Sequence, residues 1–254
     1  MNLFLSAKQP LVVGHRGACA YAPENTLASF RLAAEQGADA VELDAKLSAD
    51  GVVMVIHDPT VDRTTDGKGR VNMLSLGQLK ALDAGSFFAP AFAGEPIPTL
   101  EEVFDSVGRQ VLINVELTNY ASPMDDLVAK VVALVRNFHL EERVIFSSFH
   151  PLNLARAGKL LPEVPRAMLA DVGRPGWWAR SSWMRLVAPQ AVNPYFSDAN
   201  AAFLARQRAL KRKVFVWTVN DPSEMERLAR EAVAGIITDD PPAALKAVHA
   251  ARAW

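Results

Sequence analysis

Two histidines, His15 and His57, bracket a pair of carboxylates one residue apart, Glu42 and Asp44, and an arginine, Arg16, directly follows the first histidine. All five lie between Val12 and Asp58, each toward the end of an apolar run. Imidazole is the side chain whose ordinary pKa lies nearest neutrality, so two of them beside carboxylates are equipment for moving protons. Glu42 and Asp44 share parity, so on a strand both leave the same face. They sit within AVELDAKL, a run apolar enough to be buried, where unpaired carboxylates are expensive. A third carboxylate, Glu116, ends the run Val111–Leu117 with Asn114 on its side, and reaches the same place if that face points inward. Three such groups repel one another unless a cation neutralises them. All-oxygen ligation favours Mg2+, Ca2+ or Mn2+ over Zn2+. The histidines are then better suited to proton transfer than to ligation. Taken singly, a strand-end histidine reads as structural and an i, i+2 carboxylate pair as a solvated strand end; their coincidence points to a site.

Such groups need a scaffold that brings strand ends together. Pro23-Glu24-Asn25-Thr26 is a helix start, followed by Leu27, Phe30 and Ala34 at helical spacing and a stop at Gly37. Ala40–Leu47 reads as a strand, Asp50-Gly51 as a two-residue hairpin turn, and Val52–Ile56 as the return strand. That turn pairs Ala49 with Val52, and counting back places His57 opposite Asp44, on one face within about 5.5 Å. Residues 58–98 are broken by Pro59, Asp66-Gly67, Gly69, Gly85, Gly94, Pro96 and Pro98, with one short helix near Leu76–Leu82. They read as an insertion over one end of the body, and loops of that length are usually functional. Thr99, with Glu102 in capping-box position, opens a helix through Val107, and strands and helices then alternate to the end. Setting aside the return strand, eight strand candidates remain, which is the number and length of a TIM (β/α)8 barrel. An open doubly wound sheet is the alternative, disfavoured because no glycine-rich phosphate loop follows any strand. The reading is one barrel domain over residues 1–254, with active groups at the C-terminal face of its strands.

Bulk properties exclude several function classes. Half the residues are hydrophobic and the formal net charge is −1. Nucleic-acid binding therefore has no electrostatic support. The basic clusters Arg206–Arg208 and Lys211–Lys213 are read as a solvated helix face and its last turn. Cys19 is the only cysteine, so no intrachain disulfide forms and a reducing compartment is the simpler setting. MNLFLSAKQPLVV is a poor signal peptide and no apolar run is long enough to span a bilayer, so a cytoplasmic protein without stable membrane insertion is expected.

HRGACAYAPENTLASF followed by GADAVELDAKLSADGVVMVIHDPTVDRTTDGKG resembles the glycerophosphodiester phosphodiesterase family, and INVELTNY, VFVWTVND and GIITDDP resemble its later strand ends. The likeness spans nearly the whole chain. It implies a phospholipase-C-like barrel with a small insertion after the second histidine. It implies His15 and His57 as the general acid–base pair, and Glu42, Asp44 and Glu116 as holders of a divalent metal, Mg2+ or Ca2+. It further implies Arg16 as a phosphate ligand and Trp217 as a wall of the glycerol pocket, although ordinary barrel filling explains Trp217 equally well. The reaction it implies is hydrolysis of a small-molecule glycerophosphodiester, such as glycerophosphocholine or glycerophosphoethanolamine, to sn-glycerol 3-phosphate and an alcohol. One departure stands out. The family commonly carries lysine two residues beyond its third carboxylate, and here that residue is Thr118. Lys46 shares a face with Glu42 and Asp44 and is the one candidate to compensate, though its place near the hairpin turn reads as a surface lysine.

Other residues take plainer readings. Trp177, Trp178 and Trp183 in RPGWWARSSW are expected to pack their loop against the barrel; a lid, a dimer contact or a membrane-touching patch are the alternatives. His139, His150 and His249 read as structural and Cys19 as unactivated; Arg63 and Asp66 take loop structure as the default, with folding of the insertion back over the mouth as the alternative. Two competing functions remain. One is lysophospholipase D or phospholipase-C-like activity on lipids. The other, motivated by Thr118, is a barrel that binds phosphodiester or metal without turnover. The alcohol released, the native metal and the oligomeric state are not fixed by the sequence.

Overall fold

The apolar runs of the sequence become strands buried on both faces, as a parallel sheet covered by helices requires. In the computed structural model, which describes residues 1–251, these are β1 (Leu11–Gly14), β2 (Ala40–Leu47), β4 (Leu112–Leu117), β5 (Val144–Ser148), β6 (Arg166–Ala170), β7 (Ala191–Pro194), β8 (Lys213–Val216) and β9 (Gly235–Thr238). Each pairs in parallel with its neighbours, and β1 pairs with both β9 and β2, so eight strands close on themselves into a (β/α)8 barrel. A short strand, β3 (Val53–Val55), lies antiparallel to the upper part of β2.

Helices cover the outside. Short α1 (Leu3–Ser6) precedes β1 and drives Phe4 against Phe215 of β8 at the foot of the barrel, where it joins inward side chains from all eight strands. The crossovers carry α2 (Leu27–Glu35), α4 (Leu100–Val107), α5 (Leu127–Asn137), α6 (Pro151–Leu160), α7 (Ala201–Ala209), α8 (Pro222–Arg230) and α9 (Pro241–Ala251), while α3 (Leu76–Lys80) lies in the insertion. Their starts follow the caps read from the sequence: Thr26 accepts from the Ser29 amide, and Thr99 with Glu102 forms a complete capping box. The β6–β7 crossover differs, with a 3-10 turn at Ser182–Leu186 in place of an α-helix. Its tryptophans do not pack as expected. Ala179 and Ala188 are the buried apolar side chains of this loop, while Trp177 and Trp183 face outward, 67% and 74% exposed. The basic cluster after α7 is also only partly solvated: Arg212 is buried and donates to the Ala191 carbonyl, and burial lowers its pKa to about 10.

The hairpin departs from the expected register by one residue. Ala45 faces Val55 and Leu47 faces Val53, while the Ser48 amide donates to the Val52 carbonyl. Three residues, Ala49 to Gly51, therefore form the loop. Gly51 takes the left-handed conformation (φ +78°) that a three-residue hairpin loop reserves for glycine. Ile56 rather than His57 lies opposite Asp44, its amide donating to the Asp44 carbonyl. Strand pairing stops there, and a bend at His57, not ladder alternation, turns that side chain to the barrel mouth. Beyond it the insertion has a small core of its own, in which Met54 and Ile56 pack with Val61, Val71, Leu79, Ala84 and Ile97.

Candidate active site

The site is the upward continuation of the barrel's apolar filling. Val13, Ala40, Leu112, Ile145, Ala167, Ala191, Phe215 and Ile237 fill the foot. Side chains alternate along a strand, so two residues further on each column presents the same face at the mouth. Those positions are His15, Glu42, Asn114, Ser147, Leu169, Asn193, Trp217 and Asp239, with Asp44, Lys46, Glu116, Thr118, Phe149 and Tyr195 above them. His15, Arg16, Glu42, His57, Asn114, Glu116, Phe149, Leu169 and Trp217 line one cavity of about 60 Å3. A larger hollow, about 190 Å3, lies at the foot between Pro10, Arg208, Arg212 and Glu231. Size therefore does not pick the site; convergence of acid, base and carboxylate does.

Parallel register places the carboxylates. Glu42 lies beside Asn114 and Asp44 beside Glu116 on β2 and β4. Glu42, Asp44 and Glu116 each offer an oxygen within 4.8 Å of the other two. Burial, followed by repulsion from Asp44 and Glu116, pushes the Glu42 carboxyl well above its ordinary range. Burial and Asp44 likewise raise Glu116 to about 8, against the opposing pull of a Tyr120 hydroxyl bond, Lys46 and Arg16. Asn114 Oδ1 is buried beside them without a hydrogen-bond partner. An oxygen-rich set that resists ionising together, next to an orphaned carbonyl, fits a hard divalent cation.

Each histidine has its own carboxylate, and the sequence reading missed both. Gly14 pairs with Thr238, which brings His15 Nδ1 within 2.7 Å of Asp239 Oδ1. Burial works against ionisation of Asp239, yet the bonds from His15, Cys19 and Asn220 prevail and hold it at about 2. Strand parity from Ile237 to Asp239 was the available signal. Cys19 is half-buried against that carboxylate; desolvation first, then Asp239, pushes its thiol upward and leaves it unactivated, as expected. His57 Nδ1 lies 2.6 Å from Asp58 Oδ1. Hydrogen bonds from Arg63, then one from His57, outweigh partial burial and hold Asp58 at about 2. Arg63 grips both oxygens of Asp58 and both of Glu24, so it is more than loop structure: it ties the insertion to the loop after β1.

Arg16 occupies a strained turn. Its φ is +53°, in the left-handed region that non-glycine residues rarely adopt, and Gly17 follows at +89°. A Cβ at Gly17 would lie 2.2 Å from Ser29 Oγ, so the turn requires glycine there. The strain aims the Arg16 amide at Glu42 (3.0 Å) and its guanidinium at Glu24 (2.9 Å) and Asp44 (3.4 Å). Trp217 donates from Nε1 to the Asn193 carbonyl and packs edge-on to Phe149 and Tyr195, with Tyr120 edge-on to Phe149. Lys46 is not a surface lysine. It is half-buried, and its Nζ donates to Thr118 Oγ1 at 2.6 Å, which in turn donates to the Ala45 carbonyl.

Comparison with known proteins identifies the family. The profile of the glycerophosphoryl diester phosphodiesterase family matches residues 15–243. A glycerophosphodiester phosphodiesterase of Caldanaerobacter subterraneus subsp. tengcongensis is 39% identical over 232 residues, 91% of this chain and 94% of that one. One from Bacillus altitudinis is 32% identical over 241 residues, covering 92% and 96%. Among solved structures, an Oleispira antarctica phosphodiesterase in complex with the product sn-glycerol-3-phosphate superposes with a TM-score of 0.87 at 31% identity, covering 95% of this chain and 97% of that one. On fold, mouth chemistry and these relatives together, the chain belongs to the glycerophosphoryl diester phosphodiesterase family.

Proposed function

We propose that this protein is a divalent-cation-dependent glycerophosphodiester phosphodiesterase that releases sn-glycerol 3-phosphate and an alcohol. The observation that carries the reading is the carboxylate triangle of Glu42, Asp44 and Glu116 in the mouth that also receives two carboxylate-supported histidines. Glu42, Asp44 and Glu116 would hold the cation, with Mg2+, Ca2+ and Mn2+ the ions that suit all-oxygen ligation. The chemistry a cation supplies here when bound is neutralisation of an anionic diester that otherwise repels its nucleophile. Arg16 adds fixed positive charge on the pocket wall, pre-aimed by its contacts to Glu24 and Asp44. Lys46 adds more, from the neighbouring strand, at the position where Thr118 replaces the family lysine. That relocated charge argues against the reading of a barrel that binds without turnover. Trp217, Phe149 and Leu169 give the pocket an apolar wall for glycerol carbons.

His15 and His57 divide the proton work. One takes the proton of the glycerol 2-hydroxyl as its oxygen bonds to phosphorus. The phosphorus–oxygen bond to the alcohol breaks, and the other histidine protonates the departing oxygen. Water then opens the cyclic phosphate with the roles reversed. Asp239 and Asp58 each accept from the Nδ1 of their histidine, which leaves Nε2 as the working atom of both. The lone cysteine accords with a reducing, cytoplasmic setting, and among the described residues no helix is long and apolar enough to cross a membrane.

The test is a substrate panel, glycerophosphocholine and glycerophosphoethanolamine foremost, assayed with chelator-treated protein and after addition of Mg2+, Ca2+ or Mn2+. Turnover restored by at least one ion supports the reading. Absence of hydrolysis with every ion and substrate, or full activity after chelation, overturns it.

A further inference from the structure

The β6–β7 crossover, where the alternation of strand and helix lapses, combines two features found together nowhere else in the chain. Its residues 171–190 carry three arginines, Arg174, Arg180 and Arg185, against one carboxylate, Asp171, although the chain as a whole carries net charge −1. Three of the five tryptophans also lie there. The loop is held down by small and polar groups. Ala179 and Ala188 are buried among Leu154, Met168 and Ala170, while Arg180 pairs with Asp198 at 2.8 Å and donates to the carbonyls of Asp171 and Gly173. The large side chains are thereby left outside: Trp177, Trp183 and Leu186 are exposed, the last by 81%, and so are Trp178 and Val172.

A cluster of exposed apolar rings marks an interaction surface, and its charge selects the occupant. Arg174 and Arg185 are exposed and make no ion pair among the described residues. Tryptophan's amphipathic ring favours the headgroup level of a bilayer, and unpaired arginines favour anionic lipid. A second copy docked about a two-fold axis would set arginines against arginines, since a symmetric interface presents the same patch twice. The crossover runs from the end of β6 at the mouth to the start of β7 at the foot: Arg180 anchors its first half to Asp198, and Arg185 in its second half lies within charge range of Arg212.

We propose that this loop is a peripheral docking surface for anionic phospholipid membranes. Trp177 and Trp183 enter the interface and Arg174 and Arg185 contact lipid phosphates.

The experiment is co-sedimentation with phosphatidylcholine vesicles, with and without phosphatidylglycerol. It compares wild type with the double variants Trp177→Ala/Trp183→Ala and Arg174→Glu/Arg185→Glu. The wild type is expected on phosphatidylglycerol vesicles at low salt and to come off at high salt. Each double variant is expected to partition about tenfold less. Both should hydrolyse water-soluble glycerophosphocholine as the wild type does, which shows the fold intact. Wild-type protein that ignores phosphatidylglycerol vesicles, or variants that bind them as well as wild type, overturn the proposal. Self-association lost in the tryptophan variant, with no vesicle binding, assigns the loop to a second copy instead. A protein that binds vesicles as predicted yet hydrolyses nothing sinks the catalytic reading and leaves the docking standing.

Discussion

The two histidines reach one cavity by different construction. His15 directly follows β1 and Asp239 directly follows β9, adjacent strands of the closed barrel, and Cys19 and Asn220 hold Asp239 from within the fold. His57 hangs from a hairpin past the end of its ladder. Its partner Asp58 is fixed by Arg63, which also reaches Glu24 across the mouth. The side chain of His15 is 18% exposed and that of His57 is 43%. Hydrogen bonds inside a packed barrel persist with changing solvent, whereas ion pairs at the surface are screened by salt and contribute about 1 kcal/mol or less. The His15 arm is built in; the His57 arm is strapped on.

That contrast can be broken by substitution. Asp239→Asn is expected to act most strongly, lowering kcat on the order of 10²-fold, because the buried histidine loses the carboxylate that sets its tautomer. Asp58→Asn should lower kcat on the order of tenfold, since solvent replaces part of what an exposed partner supplies. Steady-state kinetics with glycerophosphocholine decides, and equal losses would erase the distinction between the arms. Arg63→Ala should cost about fivefold in kcat, an effect that high salt imposes on the wild type and no longer on the variant.

A further effect concerns stability rather than rate. Glu116 has a pKa of about 8 in the folded chain against an ordinary 4.5. Between those values the folded state binds more protons than the unfolded one, so the stability it contributes is complete below 4.5 and lost as pH rises through 8. Chelator-treated protein should therefore lose stability over that window, by up to about 1.4 kcal/mol per pH unit for this one group. A saturating divalent cation should flatten the slope. Thermal unfolding followed across the window checks it, and a Tm that rises with pH in metal-free protein would contradict the account.

How much of this was legible depended on the range of the interaction. Strand parity places Glu42 and Asp44 on one face and leaves Glu116 to the condition that its own face points inward, which the register of β2 and β4 meets. The same parity in GIITDDP leads from Ile237 to Asp239, but nothing local links Asp239 to His15, more than two hundred residues earlier. The hairpin register slipped because Asp50-Gly51 suits a two-residue turn as well as the three-residue loop that forms, and only tertiary packing of Met54 and Ile56 in the insertion chooses between them. For Arg63 the sequence offers only the general alternative that it folds the insertion back over the mouth; its partners, Glu24 and Asp58, come from two different loops. The tryptophans were expected inside because large rings usually are; Ala179 and Ala188 take the inward positions instead.

The central claim is that both histidines carry protons at a carboxylate-held cation. The most direct measurement is kcat for His15→Ala and for His57→Ala, with Mn2+ affinity of each variant measured by calorimetry. The account predicts that either substitution lowers kcat by about 10²–10⁴-fold while Mn2+ binding stays close to wild type. Near-wild-type turnover in either variant, or loss of the cation in both, would contradict it.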